Sequence, residues 1–401
     1  MNSIIQTHFS KSAFPVCLAP MVGLSHVALR MLLREYMPVG SETFWPTEML
    51  NSRRLPFENL QTTAETLRDP SETYLVPQIL GNEEKAIAAS VLRLENEWGA
   101  AGIDINMGCP VQKALRHNYG VALMGDAKYA AEVVRMTVRN TGLPVSVKLR
   151  ALASPGAVTS DMKLRSDATF QPGVECEDGQ GPIQDNSFLM DFIGGLQSAG
   201  AAWITLHPRT AEQKRRGSAD WSQILQIKKQ INIPVVGNGD VQTSADVFQM
   251  LQDTGCDKVM VGRALAARPW LLWQVGESLG LPPPVVCGGG VVGLNALPRA
   301  ALRAPRAPQT PEEEGQEYGR CLLRLIDLCE YYFVKVLGLP HEDLALRKLR
   351  FYVRMTSPWL DFGQSVIGVC HKSQSLQQMR DGVFQLFQNP ICMYPKTELR
   401  Q

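Results

Sequence analysis

No two cysteines in this chain stand at C-x-x-C spacing, no apolar run is long enough to cross a bilayer, and the net charge is only +1 over 401 residues. Each absence excludes something. The nine cysteines, at positions 17, 109, 176, 256, 287, 321, 329, 370 and 392, are scattered. They fit neither a zinc site nor a redox dithiol, so no metal is expected. Their scatter suits a reducing, cytoplasmic setting. Residues 1–14 lack the apolar core of a signal peptide, so secretion and membrane insertion are both unexpected. With so little net charge, a polyanionic partner has to be met by a local basic face and not by the field of the whole molecule. Beyond about 250–300 residues single cores tend to split, so two domains are expected.

Short β-rich runs recur at 16–19, 42–45, 74–78, 103–106, 145–149, 203–207, 235–238 and 258–262, with helix-like segments at 83–98, 127–139, 188–199 and 245–253 between them. Eight strands alternating with helices predict an α/β fold, a (β/α)8 barrel of the TIM type over residues 1–281. Residues 151–186 are rich in Gly, Pro, Asp and Ser and read as an insertion after the fifth strand. Residues 282–309 hold Pro282-Pro283-Pro284, Gly288-Gly289-Gly290, Arg299, Arg303 and Arg306, and read as a linker. From Thr310, a cap followed by Pro311-Glu312-Glu313-Glu314, the pattern turns helical. Residues 310–401 therefore form a small all-α domain.

In such barrels the chemistry sits at the carboxyl ends of the strands. Asn106-Met107-Gly108-Cys109-Pro110 places one thiol, rigidly turned, just past the fourth strand. Pro20-Met21, Thr47-Glu48, Gln78, Lys148 and Arg150, His207 and Arg209, Asn238-Gly239-Asp240 and Gly262-Arg263 end the other runs. The last two groups follow strands seven and eight, where barrels most often bind phosphate through glycine N–H groups and a helix amino end. Lys148, flanked by Val147 and Leu149, offers a cation inside the mouth, and Gln78 an amide. His207 is a further donor or a satisfied core histidine.

These motifs resemble the tRNA-dihydrouridine synthase family, of bacterial type. The likeness runs through Ala19-Pro20-Met21-Val22-Gly23, Thr47-Glu48-Met49, the Cys109 segment with Lys113, Val147-Lys148-Leu149-Arg150, His207-Pro208-Arg209-Thr210, Ala219-Asp220-Trp221, Gly237 to Asp240 and Gly262-Arg263. The resemblance implies an FMN-containing barrel with a helical tRNA-binding domain that uses NADPH to reduce uridine to dihydrouridine. It further implies that Pro20, Met21 and Val22 line the flavin, that Gln78, Lys148 and His207 contact it, and that Asn238, Gly239, Asp240, Gly262 and Arg263 hold its phosphate. Cys109 then protonates uridine C5, and Asn106 places the uracil. A separate Rossmann unit for the nicotinamide is not expected. Two departures stand out: Asn118-Tyr119-Gly120 where the family usually has Gly-x-Gly, and His207-Pro208 where it has His-Gly.

For RNA, the target base must leave its stack to reach a barrel mouth. Arg347, Arg350 and Arg354, with Lys348 beside them, share one face of a predicted helix over 342–355 and are the candidate tRNA contacts; Lys214-Arg215-Arg216 is a second basic cluster. No obligate protein partner is called for, and a monomer is expected. The competing readings are a flavin barrel acting on a free small pyrimidine or enone, and an RNA-binding protein on an inactive barrel.

Overall fold

Eight parallel strands, β1 (Val16–Leu18), β2 (Trp45–Asn51), β3 (Leu75–Leu80), β4 (Ile103–Met107), β5 (Val145–Arg150), β6 (Trp203–His207), β7 (Val235–Asn238) and β8 (Lys258–Val261), pair in the order β1-β8-β7-β6-β5-β4-β3-β2 in the computed structural model. Between β1 and β2 no ladder forms; there Thr43 Oγ1 donates to the Val16 carbonyl at 2.7 Å, so the barrel is nearly closed. The structure describes residues 3–10, 13–109, 117–151, 187–211, 213, 216–285 and 306–398. The expected insertion past Ala151, most of the linker, Pro110, Lys113, Lys214 and Arg215 lie outside these.

Helices α2 (Val27–Arg34), α3 (Glu84–Arg93), α4 (Ala127–Val138), α5 (Ser187–Ser198), α6 (Ser222–Gln230) and α7 (Ser244–Thr254) return the chain between strands, and α8 (Arg263–Ala267) and α9 (Leu271–Ser278) follow β8. The β2–β3 connection has only a 3-10 turn, Leu55–Phe57. It is held by Arg30 of α2, which is fully buried and donates to both carboxylate oxygens of Glu72 at 2.6 and 2.8 Å, to Leu67 O and to Ser25 O. A buried ion pair satisfied this completely avoids the large cost of an uncompensated charge.

Successive strand residues face opposite sides, so every second one enters the barrel. At the amino end the interior is closed by apolar rings. Phe9, just past α1 (Ser3–His8), packs at 6.0 Å on Phe44 and 5.5 Å on Trp203, which are themselves 5.4 Å apart. At the carboxyl end the interior turns polar, and there the site lies.

The second strand differs from the expected 42–45. Pro46 lacks an N–H and reads as a stop, yet the β2–β3 register shifts between Pro46 and Met49, and that irregularity lets the strand pass the proline. Thr47 and Glu48 are therefore buried within β2 and do not end it.

The carboxyl-terminal helices are α10 (Pro311–Glu330, continuing as a π-turn over Tyr331–Val336), α11 (Asp343–Thr356), α12 (Gly363–Lys372) and α13 (Leu376–Leu386). Thr310 and Glu313 cap α10 reciprocally, at 3.2 and 3.1 Å, as the acidic first turn predicted. One hydrophobic core runs through barrel and helices alike. Polar contacts cross the same boundary: Glu314 accepts from Arg268, Trp270 and Gln274 at 3.0–3.1 Å, and Arg324 pairs with Glu35 at 2.7 Å.

Helix α11 packs against the loops at the barrel mouth. Lys348 reaches Glu48 of β2 at 2.5 Å, and Phe351 abuts Gly23 in the loop after β1, where a Cβ on the glycine would come within 2.8 Å of the ring. Tyr352 Oη donates to Ala266 O of α8 at 2.9 Å. Just past the helix, Trp359 Nε1 donates to Gln242 Oε1, beyond β7, at 3.0 Å.

Candidate active site

The fourth strand delivers Cys109 into a turn tied from below. Asn106 Oδ1 accepts the main-chain N–H groups of Gly108 at 3.1 Å and Cys109 at 2.9 Å. Asn106 Nδ2 donates to Gln78 Oε1 at 2.7 Å and lies 3.1 Å from Met49 Sδ. The polar atoms of Asn106 thus engage the cysteine turn and the barrel wall. The turn is closed from above by Gly120, whose φ is +60° and whose added Cβ would stand 2.6 Å from the Cys109 carbonyl. Val121 N donates to that carbonyl at 3.2 Å. Asn118, where a first glycine was missed, has φ +57°, a region asparagine enters more readily than other side chains. Asn118 thus takes a left-handed backbone without being glycine. Asn82, after β3, donates to the His117 and Asn118 carbonyls at 3.2 Å and buttresses this return; nothing in the sequence pattern flagged it.

Across the mouth, Lys148 Nζ donates to Asn238 Oδ1 at 3.2 Å, and Asn238 Nδ2 donates to Met260 O at 2.7 Å. The Asn238 side chain therefore orients the lysine. Lys148 keeps some solvent contact, but the barrel walls around it dominate: burial, and then the nearby Arg150, lower its pKa to about 8. His207 stands beside it. Burial, then Lys148, Arg150, Arg209 and Arg263, push its pKa down to about 2, so the ring is neutral at any physiological pH. Lys148, Arg150 and Arg263 around one neutral imidazole, with Arg209 already paired to Asp240, make a site that favours an anion.

Gly239 has φ +117°, and a Cβ there would lie 2.8 Å from Ala219 Cβ and 3.0 Å from the His207 ring, so only glycine fits. Asp240, also left-handed at φ +58°, turns its carboxylate to Arg209 (2.6 and 2.8 Å) and to Ala219 N (2.7 Å). Its side chain organises the loop. Gly262 has an irregular backbone at the amino end of α8 and meets only Met21 Sδ and Ala19 Cβ, at 3.5 and 3.7 Å, so it leaves room beside the β1 loop. Pro20 and Met21 are half-buried there, whereas Val22 is 56 % exposed at the rim. Buried beneath His207, Thr205 Oγ1 has no hydrogen-bond partner among the described residues.

On α11 the four basic residues separate. Arg347 and Arg354 are exposed, two turns apart on the outer face. Arg350 is instead drawn to the carboxyl end of α12, donating to Ser373 O at 2.7 Å and Cys370 O at 3.4 Å. Lys348 is buried in its pair with Glu48, whose other oxygen accepts Gly23 N at 2.6 Å. The expectation of one continuous basic face is corrected accordingly: Arg350 and Lys348 are structural ties, since without them helix-end carbonyls and a buried carboxylate would lose their partners.

Among the described residues no group of histidine, cysteine and carboxylate side chains suits a metal ion. The family model for dihydrouridine synthases (Dus) matches residues 17–156 and 181–286, its break falling inside the segment read as an insertion. Similar proteins include tRNA-dihydrouridine synthase B of Xanthomonas campestris pv. campestris, 31 % identical over 281 residues that span 67 % of this chain and 72 % of that one. They also include probable tRNA-dihydrouridine synthases of Mycobacterium tuberculosis (31 % over 280 residues, 68 % and 64 %) and Rickettsia conorii (31 % over 266 residues, 66 % and 70 %). A nearly closed eight-stranded barrel with a thiol turned at the end of β4, matched by this family over most of its length, makes the chain an oxidoreductase that belongs to the dihydrouridine synthase family.

Proposed function

We propose that this chain reduces the C5=C6 bond of uridines in tRNA to 5,6-dihydrouridine, with FMN as its cofactor, NADPH as reductant and Cys109 as the acid. The observation that carries this is the Cys109 turn itself, held by Asn106 and Gly120 at the mouth that Lys148 and His207 also face. The residues present fit FMN. The cations around His207 favour an anionic group, Gly239 and Gly262 let backbone approach it, and the unpartnered buried Thr205 hydroxyl lies in the same region. Gly239, Gly262 and Arg263 would hold the phosphate, with Asn238 and Asp240 ordering the loop and the lysine. Lys148 and His207 would meet the ring, and Pro20, Met21 and Val22 its edge, while Gln78, fully buried with its amide engaged by Asp104 and Asn106, would stand behind the site.

When bound, reduced flavin supplies hydride to uridine C6. Hydride addition leaves enolate-like charge on the uracil, and Cys109 Sγ would deliver the proton that C5 needs. Lys148, cationic below about pH 8, holds negative charge in the mouth. Asn106 acts on the thiol's turn, and through it on the base. Residues 310–401 would bind the tRNA body, with Arg347 and Arg354 exposed on a helix that skirts the mouth. That placement favours a polynucleotide over a free pyrimidine, and a cytoplasmic location goes with it. Among the described residues no helix is long and apolar enough to cross a membrane.

The test is dihydrouridine mapping in tRNA from cells lacking the protein, complemented with wild type or Cys109→Ala. Loss at defined positions, restored by wild type alone, supports the reading. Unchanged dihydrouridine, in cells with no second member of the family, refutes it.

A further inference from the structure

A buried carboxylate that the proposed chemistry does not use lies two residues before Asn106. Asp104 is 6 % exposed inside the barrel and accepts from Ser146 Oγ at 2.6 Å and from Gln78 Nε2 at 2.7 Å. Burial raises its pKa, while these two bonds and Lys148 oppose the rise.

The hydrogen bonds from Asp104 to the cysteine turn can run only one way. Main-chain N–H groups only donate, so Gly108 and Cys109 force Asn106 to present Oδ1 to them, which turns Nδ2 toward Gln78. Gln78 must then accept through Oε1. That leaves its NH2, a group with no acceptor capacity, aimed at Asp104. Were the Gln78 amide rotated by half a turn, its oxygen would face the carboxylate and its NH2 would face the Asn106 NH2, two contacts between like groups. A carboxylate at position 104 forbids that rotamer.

We infer that Asp104 is a positioning residue for the Cys109 acid: it locks the Gln78 amide and, through Gln78 and Asn106, the turn that aims the thiol. The inference rests on the reading of Cys109 as the acid, and adds that the aim of the thiol is set from within the barrel. Each link is buried or nearly so, which is where a wrongly paired polar group costs most.

The test compares wild type with Asp104→Leu and Asp104→Asn, each purified with its flavin. Two quantities are followed: the rate of Cys109 alkylation by iodoacetamide, read by peptide mapping, and kcat and KM for dihydrouridine formation in unmodified tRNA. Asp104→Leu removes the acceptor. Its Cys109 alkylation rate should shift about tenfold and its kcat fall by a similar factor, with KM for tRNA within about twofold of wild type. Asp104→Asn keeps the polarity, its Oδ1 accepting from Gln78 and its NH2 donating to Ser146, and should return both quantities to within about threefold. The inference is overturned if flavin-containing Asp104→Leu matches wild type in alkylation and kcat, or if Asp104→Asn fails to rescue. Should the leucine variant not fold, Asp104→Thr, whose hydroxyl falls short of Gln78 while its branched side chain suits a strand, is held to the same criteria. If wild type makes no dihydrouridine but Cys109 alkylation still follows residue 104, the positioning stands and the proposed activity falls. If wild type is active and alkylation ignores residue 104, the reverse holds.

Discussion

Replacing Lys148 by methionine should stabilise the flavin-free protein, and by an amount that depends on pH. The barrel lowers the Lys148 pKa from 10.5 to about 8, chiefly by burial. Between those values the unfolded chain binds more protons at this site than the folded one, so the cost of burying the charge is fully present below about pH 8 and fades as pH rises toward 10.5. At roughly 1.4 kcal/mol per pKa unit, that cost is about 3 kcal/mol at neutral pH and about 1 kcal/mol near pH 9.5. Urea unfolding of wild type and Lys148→Met, flavin removed from both, measures the difference at the two pH values. Subtraction cancels titrations common to both proteins, such as that of the buried Lys258. The expected result is a stability advantage of the methionine variant that shrinks by about 2 kcal/mol from pH 7 to pH 9.5. An advantage that stays constant with pH, or a wild type that is the more stable at pH 7, would refute the account of a cation held against its solvation preference.

Other substitutions bear on the framework and on the exposed basic face. Lys348→Met leaves Glu48 buried with only the Gly23 N–H and should cost about 3 kcal/mol; pairing it with Glu48→Gln should recover part of that, and a single-variant loss below about 1 kcal/mol would contradict the burial of the pair. Gly120→Ala must adopt a left-handed backbone against the Cys109 carbonyl and should lose at least about 1–2 kcal/mol of stability, together with most dihydrouridine formation; normal activity and stability would show that the turn is not built as described. Arg347→Ala and Arg354→Ala should each reduce the slope of log tRNA affinity against log salt by roughly 0.7–0.9. Arg350→Ala should instead lower Tm and leave that slope unchanged, because its guanidinium caps α12.

The barrel was legible because its strands carry their own punctuation: apolar runs that end at polar or glycine residues, spaced by helical segments. β2 was misplaced because Pro46 carries a stop signal that a register shift overrides, a tertiary event with no local trace. Cys109, Lys148 and His207 were visible as chemistry at strand ends, and the structure brings them to one mouth. Asp104 was not, since in an alternating strand a carboxylate between isoleucines reads as solvent-facing, and only closure of the sheet turns that face inward. Helical spacing correctly put Arg347 and Arg354 outside. It carried no information about what lies against the helix, so Lys348, opposite a buried glutamate, and Arg350, beside the carbonyls of a helix that was not foreseen, looked like more of the same patch.

Because α11 and the turn after it meet the barrel through Lys348 with Glu48, Phe351 against Gly23, Tyr352 on Ala266 and Trp359 on Gln242, this helical segment is not an interchangeable cartridge. A chimaera that imports the helices of a relative in order to redirect which uridine is reached inherits mismatched partners on the loops after β1, β7 and β8 and within β2. Retargeting this scaffold therefore means transplanting those rim positions along with the helices, so that the helices and the loops of the mouth change as a single unit.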